Sequence, residues 1–248
     1  MKYEKILSIE NLTKNFGGIC AVNNVDFTLN EGEMRAIIGP NGAGKTTFIS
    51  LINGRLQSSR GKIYFKGKNI TGLKPHIISG KGIASTFQQS NIYPELSVFE
   101  NIRLAVQSRD KRHYNPFKDV ESIKPWSERT QQILDLLGMT ENSKFPATYL
   151  SHGDQRLLEI AIALGTEPDL LILDEPTAGM SIKETEQMGE VIKDLGSYKT
   201  ILMIEHDVDL VMKLADQITV FDRGSIIAEG NPNEISSNET VQEIYLGV

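Results

Sequence analysis

The chain has 248 residues, of which 40% are hydrophobic and 23% charged, proportions that suit one globular domain with a substantial core. A net charge of −6 supplies no general attraction to nucleic acid, and the lone Cys20 excludes an intramolecular disulfide or a cysteine-rich metal site and fits a reducing compartment. No stretch approaches the roughly 18 apolar residues of a membrane span, and residues 1–10 lack a signal-peptide core, so work at a membrane would require another chain to hold this one there.

Residues 6–10 and 21–30 are predicted strands. In the second, Val25, Phe27 and Leu29 alternate with Asp26, Thr28 and Asn30, the pattern of an antiparallel sheet with one solvated face. Met34–Ile38 is a short apolar strand, and Thr46–Ile52 reads as a helix. Between them, Gly39-Pro40-Asn41-Gly42-Ala43-Gly44-Lys45-Thr46-Thr47 fits G-x-x-x-x-G-K-[ST] without a substitution. In such a loop the glycines let successive backbone N–H groups turn inward onto phosphate oxygens. Lys45 then reaches the β- and γ-phosphates, the Thr46 hydroxyl is placed for Mg²⁺, and the helix N-terminus adds partial positive charge. Strand, loop and helix occur in the order this chemistry needs.

Strand signals fade between about residues 90 and 155. Ser97-Val98-Phe99-Glu100 has capping-box spacing and opens one helix; Ser127 is expected to cap another that stops at Gly138. Residues 108–126, with Pro116, Pro125 and Trp126, read as a mobile connection between them. Helical patterns return at Gln155–Leu164 and Lys183–Leu195. They alternate with the continuous apolar runs Leu170–Leu173 and Ile201–Ile204, which suit parallel strands covered on both faces. The first run ends in Asp174-Glu175-Pro176, placing two carboxylates at the carboxyl edge of the sheet, where open α/β sheets bind ligands. Asp174 suits Mg²⁺ and Glu175 suits the water that attacks a γ-phosphate. Glu205-His206-Asp207 follows the second run, so His206, unlike His76 and His113, is expected beside the phosphates, where its ring can hydrogen-bond them.

With these residues assembled, the chain resembles the ATP-binding subunits of ABC transporters along nearly its whole length. The resemblance implies an α/β fold: a P-loop ATPase with a mostly parallel core sheet, an N-terminal antiparallel β subdomain and a helical insertion. Over a single domain, 1–248, it implies an α/β core at 1–89 and 156–236, a helical subdomain at 90–155 and a C-terminal helix at 237–248. Phe16 looks like the aromatic that stacks on adenine. Gln88, in Ser85-Thr86-Phe87-Gln88, matches the glutamine that touches Mg²⁺ and water and senses the membrane partner. Leu150-Ser151-His152-Gly153-Asp154 stands where the family has its L-S-G-G-Q signature, so Ser151 and Gly153 are expected to approach the nucleotide of a second subunit. Asp174 matches the metal-site aspartate, Glu175 the catalytic glutamate and His206 the switch histidine. His152, Asp154 and the turn Ala178-Gly179-Met180-Ser181 depart from the family pattern, as does Ser85 from the arginine often found there.

Within the family the chain is most similar to the ATPases of branched-chain amino acid and urea or amide importers. The supporting residues are Lys14-Asn15-Phe16-Gly17-Gly18, His152-Gly153-Asp154, Ala228-Glu229-Gly230 and Tyr245-Leu246-Gly247. The resemblance implies ATP and Mg²⁺ as ligands and a head-to-tail dimer with an identical or related ATPase. It also implies two membrane permeases, an indirect solute-binding protein, no nucleic-acid partner, and a peripheral position on the cytoplasmic face of the membrane. A lipid or lipopolysaccharide extractor and a non-transport ATPase remain alternative readings of the same motifs.

Overall fold

The computed structural model describes residues 4–86, 92–110 and 124–246. Its first layer is a four-stranded antiparallel sheet. Strands β1 (Lys5–Phe16) and β2 (Ile19–Asn30) form a long hairpin, with β4 (Arg60–Phe65) and β5 (Lys68–Asn69) alongside in the order β2-β1-β4-β5. Val25, Phe27 and Leu29 are buried and Asp26 is exposed, as the alternation predicts. β1 runs six residues beyond the predicted stretch, and its polar Asn11–Asn15 half carries bulges with Asn11 at φ 49°. Polar bulged pairing has no period-2 signature to read.

The second layer is a six-stranded sheet. It contains β3 (Met34–Ile38), β6 (Ile83–Ser85), β7 (Leu170–Asp174), β8 (Thr200–Ile204), β9 (Gln217–Asp222) and β10 (Ser225–Gly230), in the order β10-β9-β3-β8-β7-β6. All neighbours are parallel except β10, which returns antiparallel on β9. Every residue of β3, β7 and β8 is buried. Their side chains alternate between two cores: Ile37, Ile172, Leu202 and Ile204 face the antiparallel sheet, while Ile38, Leu173 and Met203 face the helices. Covering both faces is why these strands read as unbroken apolar runs. Helix α1 (Lys45–Ile52) lies in the first of these cores, where Phe48 meets Phe27 at 5.5 Å and Phe221 at 5.1 Å.

A short helix α2 (Pro75–Gly80) precedes β6, and the insertion then supplies α3 (Val98–Ser108) and α4 (Lys124–Leu136), which pack with α5 (His152–Gly165). Ser97 and Glu100 form the expected capping box on α3. Ser127 is not a cap: α4 already begins at Lys124, leaving Ser127 inside its first turns. The helix starts early because Trp126 is buried in the helical core and donates from Nε1 to Asp110 at 2.9 Å, so it belongs to α4 rather than to the connection. Residues 111–123 of that connection lie outside the described residues. At the other end Gly138, at φ 68°, lets Met139 N–H reach back to Leu134 carbonyl at 2.8 Å, a Schellman stop. Helices α6 (Ile182–Gly196) and α7 (Val208–Leu214) flank β8, and α8 (Pro232–Ser236) and α9 (Glu239–Leu246) follow β10.

Candidate active site

The glycine loop connects β3 to α1 at the carboxyl edge of the core sheet. Two of its glycines are required by their neighbours. A Cβ on Gly39, at φ 154°, would lie 2.2 Å from the Phe221 carbonyl oxygen, and one on Gly44, at φ 101°, would lie 2.3 Å from that of Ala21. The loop is therefore squeezed between β9 and β2, and Pro40, Asn41, Gly42 and Ala43 form its turn, closed by Ala43 N–H donating to Pro40 carbonyl at 3.1 Å. Gly44 caps α1 without a side-chain hydrogen bond, and no acidic residue stands in the first turn, so the helix N-terminus is open to an anion. Thr46 is exposed there and Thr47 half-buried. Lys45 is buried and curls over the loop, donating from Nζ to Gly39 carbonyl at 2.7 Å and Pro40 carbonyl at 3.1 Å. Burial lowers its pKa, while the facing Glu175 and Asp174 act in the opposite sense.

The acidic side comes from β7 and β8. Asp174 is the last residue of β7; its backbone N–H donates to Thr86 Oγ1 at 3.2 Å. Its carboxylate Oδ1 is buried with no hydrogen-bond partner among the described residues. Burial first, and the neighbouring Glu175 second, raise the Asp174 pKa; Arg55, Arg156 and His206 pull it down. A buried, unsatisfied carboxylate oxygen beside an ammonium and a phosphate loop is a costly arrangement unless a cation completes it, and hard oxygen donors fit Mg²⁺. Glu175 leaves the strand at φ 51°, a left-handed conformation uncommon for a residue with a side chain, and donates its N–H to Ile204 carbonyl at 2.9 Å. That turn aims its Oε1 at His206 Nε2, 2.9 Å away.

One contributor was not singled out from the sequence. Glu205 is buried, and its Oε1 accepts from Thr177 N–H at 2.9 Å and Thr177 Oγ1 at 2.7 Å, while Oε2 accepts from His206 N–H at 3.0 Å. It thus ties the turn after Glu175 to the segment carrying His206. The readable signal was an acid directly after an apolar strand, but His206 drew the functional reading. Asp207 beside it caps α7, accepting from Leu210 N–H at 3.0 Å.

Phe16, Ser151 and Gly153 stand outside these hydrogen bonds. Phe16 is 46% exposed at the end of β1, with Lys14 Nζ 4.9 Å from its ring centroid. Ser151 caps α5, accepting from Asp154 N–H at 3.1 Å and donating to Asp154 Oδ2 at 2.8 Å. Ser151 and Gly153 line a separate cleft of about 290 Å³ with Met180 and Glu184. Gln88 lies outside the described residues; its neighbour Thr86 is the one bonded to Asp174.

A family model described as "ABC transporter" matches residues 22–178, which span the glycine loop, the signature and the Asp174-Glu175 edge. The chain belongs to the ABC transporter family. A second model, "Branched-chain amino acid ATP-binding cassette transporter", matches residues 225–248 of this ABC protein. The protein is 38% identical to the high-affinity branched-chain amino acid transport ATP-binding protein LivG of Escherichia coli strain K12, over 98% of each chain. It is likewise 38% identical to BraF of Pseudomonas aeruginosa, a protein of the same description, over 98% of each. Among solved structures, a nucleotide-free ATP-binding cassette from an ABC transporter aligns with a TM-score of 0.86 at 32% identity, over 99% of this chain and 100% of that one. A cassette in its ADP conformation aligns at 0.84 and 32%, with the same coverage. A dimeric bacterial cassette shares the fold, with a TM-score of 0.79 at 24% identity over 91% of this chain and 98% of that one. The ABC domain is nucleotide-binding.

Proposed function

We propose that this ABC protein is the MgATP-hydrolysing subunit of an importer for branched-chain amino acids, acting at the cytoplasmic face of the cell membrane. The observation that carries the catalytic reading is the Glu175–His206 contact of 2.9 Å beside Asp174, whose buried Oδ1 has no partner among the described residues. The solute reading rests on the two branched-chain amino acid relatives and the C-terminal family match. No helix among the described residues is long and apolar enough to cross a membrane, so permeation belongs to partner permeases in this reading.

In the proposed cycle Phe16 stacks on adenine and the loop from Gly39 to Thr47 holds the phosphates through backbone N–H groups and Lys45. Asp174, Thr46 and Gln88 would hold Mg²⁺, which supplies neutralisation of phosphate charge when bound. Lys45, released from the Gly39 and Pro40 carbonyls, moves its ammonium onto the β- and γ-phosphates. Glu175 orients or deprotonates the attacking water, and His206 holds Glu175 and hydrogen-bonds the γ-phosphate. Ser151 and Gly153, at the start of α5, complete the nucleotide site of a second subunit, identical or paralogous, so closure of the dimer assembles both sites. A solute-binding protein acts indirectly, by delivering solute to the permeases.

The division of the chain follows the same reading: a nucleotide-binding core at 1–89 and 156–236, a helical subdomain at 90–155 and a C-terminal helix at 237–248. Within the core so divided, a mostly apolar cleft of about 280 Å³ is lined by Ile78, Ile83, Ala84, Ile162 and Ala163, with Arg55 and Glu159 among the polar groups. It adjoins Thr86, two residues before Gln88, and is the proposed seat of a permease helix. Of the apolar residues that follow Gln88 in the chain, Ile92 and Phe99 pack on the core, while Tyr93 is 60% exposed and, in this reading, available to that helix.

Phosphate release by the purified chain, measured with MgATP and with EDTA, tests the ATPase; turnover that persists in EDTA removes the metal from the scheme. Co-expression with its neighbouring permeases and uptake of leucine, urea and glycerophospholipid into membrane vesicles tests the solute. Tyr93→Glu is expected to reduce complex assembly while sparing phosphate release by the isolated subunit. A complex that assembles normally with Tyr93→Glu places the docking surface elsewhere.

A further inference from the structure

The departure of the signature from the family pattern has a structural counterpart. His152, which replaces a glycine, is the first residue of α5, and its Nε2 lies 3.1 Å from the Ala178 carbonyl oxygen. A carbonyl only accepts, so Nε2 carries the proton, and the contact survives whether the ring is neutral or charged. Ala178 belongs to the turn that begins at Glu175: Ala178 N–H donates to Glu175 carbonyl at 3.2 Å, and Met180 N–H to Thr177 carbonyl at 3.1 Å. Gly179 follows at φ 77°, and a Cβ there would lie 3.3 Å from His152 Nε2, so the ring packs directly on the turn. On the next residue, a Cβ added to Gly153 would lie 3.1 Å from Glu184 Oε1, and Glu184 completes the Ser181 capping box that ends the same turn. Two consecutive signature residues therefore press on the turn that leads away from the catalytic glutamate.

The turn is also held from its other side. Glu205 grips Thr177 at 2.9 and 2.7 Å, and His206 meets Glu175 at 2.9 Å. A continuous set of contacts thus runs from Ser151 and His152 through Ala178 to Glu175 and His206, all within one chain. We infer that His152 is a positioning residue that links the signature loop serving one nucleotide to the Glu175 turn serving the other. This rests on the proposed shared sites, in which Ser151 acts on the partner's nucleotide and Glu175 on this chain's own. Engagement of Ser151 by the partner's γ-phosphate shifts the start of α5, and His152 carries that shift to the Glu175 turn. The two sites then hydrolyse cooperatively. A glycine at position 152 has no side chain to make this bond.

The test is the ATP dependence of phosphate release by the full chain with His152→Ala and His152→Gln; glutamine carries an N–H donor where alanine has none. The wild type is expected to respond sigmoidally, with a Hill coefficient above 1 and bounded by about 2 for two sites. His152→Ala should bring the coefficient to about 1 and lower kcat about 2–10-fold, the range of one lost hydrogen bond. Equilibrium ATP binding to the isolated subunit should stay unchanged, because His152 lies outside that subunit's own nucleotide site. His152→Gln should restore the wild-type coefficient. Wild-type cooperativity in His152→Ala, a Gln variant as impaired as the Ala variant, or a hyperbolic wild-type response each overturns the link. If His152→Ala fails to fold, the Gln variant decides alone, by keeping or losing the wild-type coefficient. The shared-site reading is tested separately by mixing Lys45→Ala with Ser151→Arg, since a mixed dimer holds one intact composite site. If hydrolysis does not return in the mixture, that reading fails; if it returns while the Hill coefficient ignores His152, only the link fails.

Discussion

Glu175 leaves its strand at φ 51°, and its carboxylate meets His206 at 2.9 Å. A left-handed conformation of this kind costs on the order of 1–3 kcal/mol and persists only where the surroundings impose it. Here the Ile204 carbonyl, which accepts the Glu175 N–H at 2.9 Å, supplies that constraint. Glu175→Gln keeps size and shape but removes the base, so turnover is expected to fall about 10²–10⁴-fold with ATP binding retained. Size-exclusion chromatography with ATP should then show a trapped closed dimer, and wild-type turnover would remove Glu175 from the chemistry. Lys45→Ala should fail earlier, at binding, because the loop holds no other side-chain cation; isothermal titration with MgATP reads the loss. Asp174 carries the opposite signature, a buried carboxylate whose pKa is raised chiefly by burial. Its ionised form therefore destabilises the nucleotide-free fold, and this penalty appears as pH rises through the raised value. Asp174→Asn is expected to raise the melting temperature of the nucleotide-free protein at pH 7–8 and to abolish the further rise on adding MgATP.

Helix α3 shows how local chemistry sets an element. Ser97 Oγ accepts from Glu100 N–H at 3.1 Å while Glu100 Oε2 accepts from Ser97 N–H at 2.9 Å. These hydrogen bonds hold the Glu100 carboxyl below its ordinary pKa. A depressed pKa means stability that is present above the ordinary glutamate value of about 4.3 and lost as pH falls through the folded value. Ser97→Ala is expected to cost about 1 kcal/mol at pH 7. As pH is lowered the melts of the two proteins should draw closer by the part that the Ser97 hydroxyl contributes to the Glu100 carboxylate, and keep the part due to Oγ accepting from Glu100 N–H, since alanine retains the backbone N–H. A difference independent of pH would mean that the cap works without the Glu100 charge. The capping box and the Gly138 stop were legible because each depends on residues within one turn. The start of α4 was not, because the burial of Trp126 against the helical core, with its bond to Asp110 sixteen residues away, outranks a possible cap at Ser127.

Across the whole molecule the two sheets are joined through a buried cation. Arg35 on β3 pairs with Glu33 and with Glu229 of β10, donates to Thr219 of β9 at 3.0 Å, and lies 5.5 Å over the Phe27 ring of β2. Arg35→Ala leaves Glu33 buried without this cation, and breaking a buried pair costs about 3–5 kcal/mol. Urea unfolding should show a lower midpoint; an unchanged midpoint would mean that the pair is as well solvated as a surface one.

By itself, the sequence determined the local chemistry: the glycine loop ending in Lys45-Thr46, the carboxylates Asp174-Glu175 at the end of an apolar run, and the Ser97 capping box that opens α3. These are readable because backbone geometry and hydrogen bonding impose their spacing over a few residues. The family resemblance was readable for the same reason, as a series of short motifs in order. The tertiary structure alone decided what lies between those motifs. Strand order β3-β8-β7 brings Lys45, Asp174, Glu175 and His206 to one edge, since parallel neighbours align their carboxyl ends. It alone showed Glu205 gripping Thr177 twenty-eight residues away and His152 reaching Ala178 across twenty-six. Contacts at such separations depend on how two strands and a helix pack, and neither composition nor periodicity encodes that distance.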